Sequence, residues 1–130
     1  MNMTAARTFL IIATTLTVSH RAFGQEPPAY DARAGVRLMR AINTAENAQR
    51  RSGGYLPLNQ LLTLPQMVGV AANVTLDGND AIYLGQNVRL MVSADRQKYQ
   101  VAIVPASTCG AAVFTDEGGL IYTGKVLDCP

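Results

Sequence analysis

The chain reads as an α+β domain in which one N-terminal amphipathic helix packs on a small antiparallel sheet of about four strands. Three observations predict this. Residues 31–52 carry apolar side chains at the helical period and stop at Gly53-Gly54. Residues 88–123 hold two pairs of short alternating segments, each pair joined by a polar turn. The helix is then the large apolar surface available to cover a sheet with one apolar face.

Residues 1–24 read as a secretory signal peptide. Arg7 supplies the positive start, residues 9–18 form a short apolar run diluted by threonines, and Ala22-Phe23-Gly24 places small residues where a signal peptidase cuts, before Gln25. Ten residues are too few to cross ~30 Å of hydrocarbon as a helix, so a retained anchor is not expected after cleavage. Removing 24 of the 130 residues leaves 106, enough for one domain with a single modest core. Arg7 and Arg21 leave with the peptide, so nine of the 11 basic residues face nine acids and the formal charge is zero. The basicity of the whole chain thus belongs to its first residues, and no nucleic-acid partner is expected.

Residues 25–30, opening Gln25-Glu26-Pro27-Pro28, form an extended lead-in, and residues 31–130 form the domain. In the helix, Leu38, Ile42 and Ala45 fall at i, i+4 and i+7, with Gly35 and Met39 beside them. Asp31 caps the first turn, Arg50 and Arg51 meet the negative end of the dipole, and Gly53 closes the last turn in the left-handed conformation. Glu46 is read as the exposed partner of Arg50, a pair worth ~0.3 kcal/mol. Gly35 weakens the early turns by about 1 kcal/mol relative to alanine.

Prolines at 57 and 65 leave room for a single helical turn around residues 58–62, whose leucines plug one edge of the core. Residues 66–87 are the least readable: 73–76 could form a short strand, and Asp77-Gly78-Asn79-Asp80 is a turn by composition. Residues 88–93 alternate, with Val88, Leu90 and Val92 on one face and Arg89, Met91 and Ser93 on the other. A turn at 95–98 leads to the alternating run 99–104, with Tyr99, Val101 and Ile103 on one face. Residues 111–115 and 120–123 are joined by Asp116-Glu117-Gly118-Gly119, a hairpin loop with glycine where positive φ is wanted.

Cys109 and Cys129 are the two cysteines, and an exported compartment with an even count favours a disulfide between them. The chemistry on offer is sparse. The single histidine, His20, lies in the signal peptide, which removes Ser–His and Cys–His systems and most zinc sites from the mature chain. Asp77 with Asp80, and Asp116 with Glu117, are the clustered acids, and both sit in glycine turns where Asp commonly bonds its own backbone. Calcium on Asp77 and Asp80 is the alternative, without the spacing or distal glutamate of an EF-hand. A hydrolase built on turn carboxylates ranks last, and no catalytic residue is assigned.

Ile42-Asn43-Thr44-Ala45-Glu46 followed by Gly54-Tyr55-Leu56-Pro57-Leu58 resembles the end of the long helix and the next loop in type IV pilin-like and type II secretion pseudopilin-like proteins. Tyr99-Gln100-Val101, then Phe114-Thr115-Asp116-Glu117-Gly118-Gly119-Leu120-Ile121-Tyr122, is similar to the last hairpin of such heads, and Cys109 with Cys129 falls where many carry a C-terminal disulfide loop. The resemblance spans about residues 36–125. It implies a pilin-head-like fold and a non-catalytic, structural or binding role toward a protein of the envelope or of a secretion or pilus machinery, in the periplasm or outside the cell. Those families begin with a leader cut just ahead of a long apolar anchor helix. Here the apolar run precedes the expected cut, so the reading is a head without its stem. The exposed start of the helix, including Val36 and Arg40, is the expected contact surface.

Overall fold

The computed structural model describes residues 29–107 and 109–125. The expected signal peptide, most of the lead-in and Cys129 lie outside the described residues. Helix α1 runs Ala32–Arg50. Asp31 caps it from an extended backbone, its Oδ1 accepting the Ala34 N–H. Gly53 and Gly54 both take positive φ, which ends the helix and turns the chain back. Two single-turn helices, α2 (Leu58–Leu61) and α3 (Val68–Ala71), follow, with a 3-10 turn at Pro65–Met67 between them.

Six strands complete the domain: β1 (Val74–Asp77), β2 (Asp80–Tyr83), β3 (Gln86–Val92), β4 (Tyr99–Val104), β5 (Ala111–Asp116) and β6 (Ile121–Lys125). They form one antiparallel meander in the order β1-β2-β3-β4-β5-β6. The class is α+β as the alternation predicts, but the sheet has six strands rather than about four. The two extra strands come from residues 74–83, where Asp77 and Asp80 pair across the sheet and Gly78-Asn79 alone make the turn. The next turn, Leu84-Gly85, puts both residues at positive φ (49° and 79°). A leucine in the left-handed region costs strain and is not a turn signal, so composition hides this hairpin.

One face of the sheet is the core. Leu38, Met39, Ile42 and Ala45 of α1 are buried against Val88, Val101, Ile103 and Val113 of the sheet. Leu58, Leu61, Met67 and Val70 join the same cluster and complete the helical layer. Tyr30 belongs to this body as well: its hydroxyl donates to the Ala111 carbonyl at 2.8 Å. Across the sheet, the Tyr83 hydroxyl donates to the Ala34 carbonyl inside the helix at 3.3 Å.

Gly35 has a larger role than a weak helix former. A Cβ built there would stand 2.8 Å from the Tyr30 hydroxyl and 2.8 Å from Cγ2 of Val113. The absent side chain is what lets α1 lie so close to β5 and to Tyr30. Gly35→Val is therefore expected to destabilise the domain by about 2–3 kcal/mol through overpacking, despite removing a helix glycine. Urea denaturation measures it; stability equal to wild type would refute the close-approach account.

Candidate functional site

The acids singled out by sequence do not converge. Asp77 is exposed, while Asp80 is occupied by Arg89: Nε donates to Oδ1 at 2.8 Å and Nη2 to Oδ2 at 2.6 Å. That bidentate hydrogen bond holds the Asp80 carboxyl below the usual carboxylate range. Both of its oxygens are thus engaged by a cation, and no group of three or more His, Cys, Asp or Glu side chains stands together among the described residues. The geometry gives calcium no support at this turn. Asp116 makes the backbone-directed bond of a turn residue, its Oδ1 accepting the Gly118 N–H at 2.8 Å.

At the start of α1, Arg40 is exposed, but Val36 is half-buried against the core and offers little to a partner. Cys109 is exposed in the turn ahead of β5, and no free cysteine occurs among the described residues.

Glu46 is the site residue the sequence reading misplaced. It is fully buried, not on a solvated face with Arg50. The loop after α1 folds over it, and Oε2 accepts the Leu56 N–H at 2.9 Å while Oε1 has no hydrogen-bond partner. That loop is clasped to the β3–β4 turn. The Tyr55 N–H donates to the Arg96 carbonyl at 2.9 Å, and Arg96 Nε donates back to the Tyr55 carbonyl at 2.9 Å. Arg96 itself sits at φ 57°, and a Cβ on Gly54 would meet its carbonyl oxygen at 2.7 Å, so position 54 needs glycine. Burial pushes the Glu46 carboxyl up to about 7, against the Leu56 hydrogen bond and the attraction of exposed Arg96. Beside it, the Tyr99 hydroxyl donates to Asn43 Oδ1 at 2.6 Å, and Asn43 Nδ2 donates to Thr115 Oγ1 and the Gly119 carbonyl. These contacts tie helix, loop and hairpins together around a side chain with no exposed surface. They are a structural network.

The surface that no other described element covers is the other face of the sheet. Alternation sends every second residue outward, and several of those are large and apolar. Met91 is 56% exposed, Val104 54%, Phe114 48% and Tyr122 45%. Phe114 and Tyr122 stand on neighbouring strands in register, their rings stacked at 4.7 Å and 14°. Between them and Arg89 with Met91 lies a shallow depression of about 790 Å³, floored by Ala102 and Ala112. Polar and charged groups bound it at Gln100, Asp116 and the Asp80–Arg89 pair. An apolar centre with a polar rim is the anatomy of a protein-binding surface. Alternation along the strand places Met91 opposite the Val88–Leu90 face, whereas the pairing of Phe114 with Tyr122 follows only from the strand register.

Comparison with family models, with curated proteins and with solved structures yields no match to this chain.

The raised carboxyl of Glu46 gives a signed prediction. The folded state holds that proton up to about pH 7, whereas the unfolded chain releases it near 4.5. Stability from this group is full below pH 4.5 and falls as pH rises to about 7. Glu46→Gln, which keeps an acceptor for Leu56, is expected to match wild type near pH 4.5 and exceed it by on the order of 2 kcal/mol at pH 8. Chemical denaturation across that range decides it; parallel pH profiles for the two proteins would reject a buried, neutral Glu46.

Proposed function

We propose that this chain is an exported, pilin-like protein with a non-catalytic role, binding a protein of the cell envelope through the outer face of its sheet. The observation that carries this reading is the exposed apolar cluster of Met91, Val104, Phe114 and Tyr122 on a face that no described element covers. An apolar patch rimmed by polar groups on a small domain supports an interaction site. The sparse catalytic inventory favours binding over turnover, since histidine is missing after residue 24, Asp80 is held by Arg89 and Asp116 accepts from the Gly118 N–H. The expected contact therefore moves from the start of α1, with its half-buried Val36, to the sheet.

Export is part of the reading, on the strength of the first 24 residues, and so is a Cys109–Cys129 disulfide in that oxidising compartment. N-terminal sequencing of protein from the exported fraction is expected to find Gln25 first, and unreduced protein is expected to resist alkylation at both cysteines. Protein that begins at Met1, or labels at either cysteine without reductant, refutes this part.

The binding role is tested with a photo-crosslinking amino acid in the producing cell. Placed at position 114 it is expected to give a discrete adduct with a protein, and at exposed Arg51 on the far end of the helix layer it is expected to give none. Equal background from both positions would count against the sheet face.

A further inference from the structure

The helical layer has a charge pattern that the zero formal charge expected of the mature chain conceals. Between Ala32 and Leu76 the charged residues are Arg33, Arg37, Arg40, Glu46, Arg50 and Arg51, and the one acid among them is fully buried. All five arginines are exposed, and among the described residues none of them makes an ion pair. Arg33, Arg37, Arg40 and Arg51 fall at i, i+4, i+7 and i+18, which the helical period brings onto one line about 27 Å long. Thr44 and Asn47 fill the places between, so no acid interrupts it. The line lies opposite buried Leu38, Ile42 and Ala45 and so points away from the sheet.

Nothing in helix physics favours this pattern for stability. Arg33 stands in the first turn, at the positive end of the dipole, where a cation is disfavoured, and beyond the Asp31 cap that turn holds no acid. Arg33 with Arg37, and Arg37 with Arg40, are like charges one turn apart, and such pairs repel. Arg37 reaches the Tyr83 hydroxyl, a neutral partner that leaves its charge uncompensated. An acid-free row of guanidinium groups is complementary to a surface of phosphates, which each planar fork can meet with paired hydrogen bonds.

We propose that the outer face of α1 docks on an anionic lipid surface, its arginines meeting the headgroup phosphates. Several features favour a bilayer over another polyanion. The row stands on a convex helix that carries no aromatic side chain on which a base could stack. Val68 of α3, between buried Met67 and Val70 in the same helical layer, is 74% exposed, and an apolar residue in a cationic layer suits a headgroup boundary. The export expected from residues 1–24 brings the chain to a membrane surface. Because α1 buries its apolar stripe in its own core, the contact is electrostatic and reversible, not an anchor. A domain bound this way turns its outer sheet face away from the bilayer, so the lipid contact does not depend on the protein contact proposed above and is compatible with it.

Co-sedimentation of the purified protein, as processed by the producing cell, with vesicles of phosphatidylcholine containing about one-third phosphatidylglycerol tests this. Binding is expected at low ionic strength, with none to phosphatidylcholine alone and none at about 1 M salt, where the Debye length falls to about 3 Å. Each arginine at an anionic surface is worth roughly fivefold, so Arg33→Gln with Arg40→Gln is expected to weaken binding at least tenfold. The same double variant is expected to melt no lower than wild type, since it relieves repulsion within the helix. Lys98→Gln with Lys125→Gln removes the same net charge from exposed sites outside the helical layer, and is expected to change binding by about twofold or less. Protein that leaves anionic vesicles unbound at low salt, or two double variants that weaken binding equally, overturns the proposal. Capture by dextran sulfate or DNA without vesicle binding overturns it as well. Crosslinking from position 114 is read separately, so the sheet-face reading stands or falls on its own result.

Discussion

The close approach of α1 to β5 at Gly35 is the contact on which the rest of the molecule depends. Without a side chain at that position, the helix settles onto Ile103 and Val113 and draws Tyr30 in beside them. Leu38, Met39, Ile42 and Ala45 can then all be buried along one stripe. A helix is only ~10 Å wide, however, and a six-stranded sheet is roughly 29 Å across. The remainder of the inner face is closed by α2, the 3-10 turn and α3, which supply Leu58, Leu61, Met67 and Val70 to the same core. The apparently irregular stretch after α1 is therefore half of the helical layer.

That layer is held in place by polar contacts at its far end. Arg96, in a left-handed backbone, trades hydrogen bonds with Tyr55, and the loop so anchored lies over Glu46. A buried acid with one unpartnered oxygen is costly when ionised and tolerable when protonated. Leu56 is fixed by the other oxygen whichever state is present. Ionisation of this acid and closure of the loop over it are therefore linked, and a perturbed carboxyl is not by itself evidence of an active site.

Much of this was legible in the residues, and the failures have identifiable causes. The α1 stripe, the Asp31 cap, the glycine stop and the alternation of β3 to β6 are local patterns, and local patterns survive folding. Strand β1 was visible only as a possible short strand at 73–76, and β2 was hidden because Asp77 and Asp80, turn-formers by composition, pair across the ladder, and because Leu84 turns the chain where glycine or asparagine would be expected. Glu46 was misread because helical spacing offers Arg50 as a partner, whereas its burial is decided by a loop arriving ten residues later. Nothing in periodicity could reveal that. The outer face was half visible: alternation sends Met91 outward, but the ridge of Phe114 and Tyr122 exists only once β5 and β6 are in register.

A two-layer domain of this kind leaves a choice about its second sheet face. Such a face is commonly made polar, and the β1–β3 side here follows that course only in part, with Thr75, Asp80, Asn87 and Arg89 beside Ile82 and Met91. On the β4–β6 side the outward positions become Ala102, Val104, Ala112, Phe114 and Tyr122. Among the described residues no further strand pairs with β1 or β6, so an apolar patch beside them is an aggregation risk unless its partner is specified.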